Sequence, residues 1–263
     1  MKIIAIANQK GGVGKTTTAI NLSAGLASNG FHTLLVDLDM QANATVSFVD
    51  KKEVRLALFD IVGDSKSKVS AEKVIIETDI ENLDILPSNL STGKLDKFQG
   101  FEELYRIKEA LDKLKRKYDY ILLDCPPNLG NTLTMALVAA THIIIPIKAD
   151  YFSMEGVSDL VETIQHTRRV NTNLQVLGVL VTEFDSREII CGQALAQVEK
   201  QFGDLKFDID IRKNTSLRSA PSLKRTIYEH APTSYGANDY ADLTSEVIER
   251  TQESHLLREV KAS

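Results

Sequence analysis

The sequence predicts a doubly wound α/β fold, a mainly parallel sheet flanked by helices, and three observations predict it. Short β-branched or apolar runs alternate with longer segments of helical periodicity; the first run passes into a glycine-rich turn that opens a helix; later runs end on acids. Strand then helix, repeated, means parallel strands joined by crossover helices, and such sheets bind ligands at the carboxyl ends of their strands.

The runs at 3–7, 33–36, 83–86, 120–123, 142–147 and 176–181 are short, apolar and rich in Ile, Val and Leu, the pattern of strands buried on both faces. Between them, 15–28, 101–117, 132–140, 153–170 and 189–202 carry helical periodicity. A final helix at about 238–257 follows a loop rich in Pro, Ser and Gly and is expected to pack on the outside. With no linker, repeat or low-complexity tract, residues 1–263 are expected to form one domain.

A net charge of −5 excludes nucleic-acid binding by global basicity and directs attention to local patches. Cys125 and Cys191 are the only cysteines, which fits a reduced, cytoplasmic protein better than a disulfide scaffold. The N-terminal apolar run is too short for a signal peptide, and no stretch approaches the ~18 apolar residues of a membrane span. The five histidines lack metal-ligand spacing, so Mg²⁺ is the only metal expected.

The turn after the first strand reads Asn8-Gln9-Lys10-Gly11-Gly12-Val13-Gly14-Lys15-Thr16-Thr17. A triphosphate needs backbone N–H groups pointing inward, which glycines allow, and a helix N-terminus adds the positive end of its dipole. Lys15 then supplies a point charge to the β- and γ-phosphates, and the Thr16 hydroxyl is placed to ligate Mg²⁺. Two acids, Asp37 and Asp39, follow the second strand and lie on one side if the chain stays extended. Asp124 ends the apolar run Tyr120-Ile-Leu-Leu, the arrangement in which a carboxylate holds Mg²⁺ through water. Between 212 and 225 stand Arg212, Lys213, Arg218, Lys224 and Arg225 without an acid, a local phosphate-binding footprint.

Gln9 in place of the first P-loop glycine, the extra Lys10 and the doubled Gly11-Gly12 resemble the deviant Walker A motif of the ParA/MinD ATPases, in particular the ParA/Soj branch. The stretch from Asp37 to Asn43 is similar to that family's D-x-D-P-Q-x-N, with Met40 for Pro; Thr182 to Arg187 resembles T-x-F-D-x-R. The run from Asn214 to Ser222 resembles the segment that begins with an adenine-reading Asn and ends A-P-S. Departures fall there: Arg212-Lys213-Asn214 replaces P-R-N, Ser216 replaces an arginine and Tyr235 a lysine.

The resemblance implies an ATPase of weak intrinsic activity that binds ATP and Mg²⁺ at Gly11, Gly12, Val13, Gly14, Lys15, Thr16, Thr17 and Asn214. It implies that Lys10 acts in trans across a sandwich homodimer, that Asp39 orients the attacking water and that Asp37 lies near the metal's water shell. It further implies nonspecific DNA binding through Arg187 and the cations after it, a ParB-like activator and residence on the nucleoid. Alternatives of different class are a nucleoid-riding ATPase whose cargo is a protein assembly, such as a carboxysome or chemoreceptor cluster, and a MinD-like membrane-cycling ATPase. The mixed, acid-rich stretch 246–259 argues against the membrane. An iron-sulfur relative would need paired cysteines, which neither Cys125 nor Cys191 supplies. Because the first strand starts at Lys2, no N-terminal helix-turn-helix and no operator-specific repression are expected.

Overall fold

A computed structural model of the chain describes residues 1–64, 69–150 and 157–262, with side chains as far as 252. Among the described residues seven strands form one sheet in the order β3-β4-β2-β5-β1-β6-β7. They are β1 (Lys2–Ile6), β2 (Thr33–Asp37), β3 (Ile76–Glu77), β4 (Leu83–Leu86), β5 (Tyr120–Asp124), β6 (His142–Lys148) and β7 (Gln175–Thr182). All pair in parallel except β3, which runs antiparallel against β4. The helices are α1 (Lys15–Ser28), α2 (Asn43–Val46), α3 (Leu58–Val62), α4 (Arg106–Asp112), α5 (Asn131–Ala139), α6 (Val157–Thr167), α7 (Ile189–Phe202), α8 (Thr215–Ser219), α9 (Ile227–His230) and α10 (Tyr235–Ala262).

Strand period two splits the core between the faces of the sheet. Ile3, Leu34, Val36, Ile121, Leu123, Ile143 and Ile145 pack with α4 to α7 on one face. Ile4, Ile6, Leu35, Leu122 and Ile144 pack with α1 and α10 on the other. Both faces are dry, which is why these strands read as continuous apolar runs.

On the second face α10 lies against the phosphate-loop helix, and Gly25 permits the approach. A methyl at Gly25 would collide with the Thr244 hydroxyl and the Tyr228 phenol. Thr18 and Tyr240 join the two helices by a buried 3.1 Å hydrogen bond. Gly25→Ala is therefore expected to destabilise by about 1–3 kcal/mol through overpacking, read as a lower denaturation midpoint at unchanged m-value. An unaltered midpoint would show that the helices separate without cost.

The helix expected over 101–117 is shorter, a 3₁₀ turn at Glu102–Tyr105 followed by α4. Tertiary contacts end it early: the Lys115 N–H donates to Glu72, Arg116 pairs with Asp84 at 2.8 Å, and the Tyr118 hydroxyl donates to the same carboxylate. Of the helix expected over 153–170, residues 153–156 lie outside the described residues and the rest is α6. The last helix begins at Tyr235, three residues early, because Ser234 turns the chain by accepting from the Asn238 and Ala237 N–H groups. β3 escaped the sequence reading because two residues carry no periodicity.

Candidate nucleotide site at the carboxyl ends of the central strands

β1 delivers the chain into the glycine turn, and buried Asn8 shapes its start. The Asn8 amide donates to the Pro146 carbonyl at 2.7 Å while its oxygen accepts the Lys10 N–H at 2.9 Å. Gly12 and Gly14 hold φ of 72° and 84°, the left-handed region that a side chain resists, so the tight curl requires glycine at both. No side chain caps α1 at Gly14, and an uncapped helix N-terminus after a glycine turn is an arrangement suited to binding an anion. Thr182, at the end of β7, braces the loop by donating to the Val13 carbonyl at 3.0 Å.

Lys15 is 7% exposed and donates to the Lys10 carbonyl at 3.0 Å. Burial lowers its pKa, and the charges of Asp124 and Asp39 oppose that, so two carboxylates bear on one ammonium. Asp37 and Asp124 are register partners on β2 and β5, both fully buried. Asp37 is occupied by its own loop: one oxygen accepts the Asp39 N–H at 3.0 Å, the other accepts the Thr45 N–H at 2.8 Å and the Thr45 hydroxyl at 2.7 Å. The expectation of two acids facing one way along an extended chain is thereby corrected. The chain turns after Asp37, and Asp39 sits partly exposed with an oxygen accepting the Gln41 N–H.

Asp124 is different. Neither oxygen makes a hydrogen bond, although the Thr16 hydroxyl and Lys15 ammonium lie near enough to favour its ionised form. A buried polar group without a partner calls for an explanation, and a hydrated cation beside Thr16 provides one. Thr16, Asp124 and, behind it, Asp37 thus fit Mg²⁺ held largely through water. Cys125 is fully buried and its thiol is pushed up by burial and then by Asp124, so it is inert packing.

Burial first, and the neighbouring carboxylate second for Asp124, raise both acids; Asp37 moves from the ordinary 3.8 to about 6. The folded chain therefore holds protons that the unfolded chain has released, and stability falls as pH rises through that window. Asp124→Asn removes one of the two charges. The variant is expected to show a flatter decline of Tm between pH 4 and 8 than the parent, without nucleotide or Mg²⁺. Identical slopes would mean that the pair is not what titrates.

A cleft of about 50 Å³ leads from the glycine turn past Gly14, Thr17 and Thr182 to Asn214, Leu217 and Tyr240. Asn214 caps α8, its oxygen accepting the Ser216 N–H at 2.8 Å. Lys10 pairs within its own chain, 2.8 Å from Asp150.

The basic stretch departs from the expectation of an unopposed patch, because the fold brings acids to it from elsewhere. Arg212 stays exposed but is paired with buried Asp239 and lies over the Tyr235 ring at 4.1 Å. Arg187 pairs with Asp185 at 2.7 Å, Lys213 with Glu188 at 3.0 Å, and Arg218 with Glu183 at 2.9 Å. Lys224 stands 3.6 Å from Asp50, and exposed Arg225 makes no ion pair among the described residues. Thr182, Thr45, Asp150 and Glu183 are site residues whose contacts the sequence reading missed. Asp150, just past β6, had a signal, since strand-end acids are informative elsewhere in the chain, and Thr182 and Glu183 lie in the stretch that resembles T-x-F-D-x-R; Thr45 had none.

The chain matches a family described as an AAA domain over residues 1–176. The sporulation initiation inhibitor protein Soj of Bacillus subtilis is 40% identical over 250 residues, covering 94% of this chain and 98% of that protein. A putative plasmid partition protein from Borrelia burgdorferi, solved with AMPPNP, superposes with TM-score 0.78 at 28% identity over 96% of this chain and 99% of that one. Cobyrinic acid a,c-diamide synthase from Mycobacterium smegmatis, solved with an ATP analogue and magnesium, gives 0.82 at 27% identity over 97% of each chain.

Proposed function

The chain belongs to the ParA/Soj family of P-loop ATPases, and from that premise we propose that it is an ATP-hydrolysing partition protein that dimerises around Mg-ATP. In that state it binds duplex DNA without sequence preference, and hydrolysis stimulated by a ParB-like partner releases it, segregating or positioning a DNA cargo on the nucleoid. The observation that carries the reading is the convergence on Lys15 of Asp124, with its two orphan oxygens, and Asp39. Identity of 40% to the chromosome-partitioning ATPase Soj of Thermus thermophilus, against 27% to the diamide synthase, favours partition over amide synthesis.

The chain's own groups divide the work. Gly11, Gly12, Val13, Gly14 and the first turn of α1, with Thr17, cradle the phosphates through backbone N–H groups; Asn214 reads the base. Lys15 neutralises the β–γ bridge. Thr16 and Asp124, backed by Asp37, hold Mg²⁺, which supplies charge neutralisation at the phosphate oxygens. Asp39 orients a water in line with the γ-phosphate.

Lys10 reaches the partner's nucleotide. Its pair with Asp150 is about one-third exposed on each side, so it is worth under about 1 kcal/mol and yields readily to a polyphosphate. Lys10→Ala is expected to cut partner-stimulated turnover by about 10²–10³-fold, the scale of one lost transition-state contact. Turnover equal to the parent's would remove the lysine from the mechanism.

A further inference from the structure

Most of the cations around Glu183 to Glu188 are matched by acids, so that face carries little net positive charge. A second group is not matched. Lys51, Lys52 and Arg55 stand exposed on the turn that follows α2, and none makes an ion pair among the described residues. Asp50 and Glu53 are interspersed with them along the chain.

The fold places this turn beside the end of the basic stretch. Asp50 reaches Lys224 at 3.6 Å, and Val49 and Val54 anchor the turn in the core cluster that also holds Tyr228 and Ala231. Lys51, Lys52, Arg55, Lys224 and Arg225 thus give five cations against Asp50 and Glu53 on the surface of an acidic protein.

The turn is also tied to the site. Asp37 holds Thr45 by two hydrogen bonds, and the Val49 N–H donates to the Thr45 carbonyl at 3.0 Å, one residue before the turn. A rearrangement of the loop that carries Asp39 is therefore transmitted to Lys51 and Lys52 through one short helix.

We infer that Lys51, Lys52 and Arg55, together with Lys224 and Arg225, form the principal phosphate-contacting surface for duplex DNA, and that it is positioned by the nucleotide-sensing loop from Asp37 to Thr45. This rests on the DNA-binding reading above. It moves the centre of the interface away from Arg187, Lys213 and Arg218, whose neighbouring acids leave that face with little net positive charge. Each phosphate contact contributes about 0.9 to the slope of log K against log salt, so three contacts account for roughly 2.7 and, at 0.1 M salt, on the order of a hundredfold in affinity.

The test compares three full-length proteins on random-sequence duplex DNA with a nonhydrolysed ATP analogue, over a salt series. They are the parent, Lys51→Ala/Lys52→Ala/Arg55→Ala, and Arg187→Ala/Lys213→Ala/Arg218→Ala. The expected result is that the first triple variant loses at least two units of salt slope and about a hundredfold in affinity, while the second loses clearly less. Thermal unfolding checks that each variant is folded, and the slope separates lost phosphate contacts from a general weakening. An unchanged isotherm for the first variant with binding abolished in the second would overturn the inference and leave partition intact. A parent that binds no DNA in any nucleotide state would overturn both.

Discussion

Asp39→Ala is expected to lower ATP hydrolysis by about 10²–10⁴-fold while leaving an ATP-bound dimer that stays on DNA. The reason lies in how the loop is built. Asp37, fully buried, spends its oxygens on the loop, and Asp124 is walled in behind Lys15; Asp39 alone among the three carboxylates is partly exposed. It is also tethered, through the Gln41 N–H on one oxygen, in a way that leaves the other able to orient water. Removing it subtracts no phosphate ligand and no core contact, so binding and dimerisation should persist. Single-turnover hydrolysis, read beside light scattering with ATP, checks both halves. A variant that hydrolyses at the parent's rate would take Asp39 out of the mechanism, and one that fails to dimerise would make it a structural residue.

Lys15→Gln is expected to weaken ATP binding by about 10–100-fold or more. A hydrogen bond to a charged group contributes about 1.5–3 kcal/mol, and tenfold in affinity is about 1.4 kcal/mol. The ammonium is desolvated before ligand arrives, since burial already lowers its pKa, so little water remains to be stripped from it on binding. The loss extends beyond one contact. The Lys15 charge also bears on Asp124, so without it the phosphates approach that buried acid with one cation fewer. Titration of a fluorescent ATP analogue, with circular dichroism as a check of folding, measures the effect. An affinity within threefold of the parent's would mean that the backbone cradle carries the binding by itself.

The sequence was most informative where the physics is local. α1 and α7 match the expected 15–28 and 189–202, and β2 and β5 each run one residue past expectation, to end on Asp37 and Asp124. Glycine turns and β-branched runs fix such elements from neighbours in sequence. What the sequence left hidden depends on partners distant along the chain. The helix over 101–117 looked continuous until Glu72 and Asp84 drew residues 115–118 away. The stretch from Arg212 to Arg225 contains no acid, yet Asp50, Glu183, Glu188 and Asp239 come to it from other elements. The same distance effect applies to the basic turn at Lys51, whose cations are interspersed with Asp50 and Glu53 along the chain and which only the fold sets against Lys224. Asp37 and Asp39 stand out in the sequence as acids after a strand but not as a turn, because a side chain binding the backbone two residues on is invisible to strand periodicity.

Binding of the purified chain to random-sequence duplex DNA at moderate salt, with ATP, with ADP and without nucleotide, tests the central claim most directly, with anionic liposomes as a parallel surface. The expected result is binding to DNA with ATP only, weakening steeply as salt rises, and none to liposomes. Equal DNA binding in all three nucleotide states, or ATP-dependent capture by liposomes in place of DNA, would contradict it.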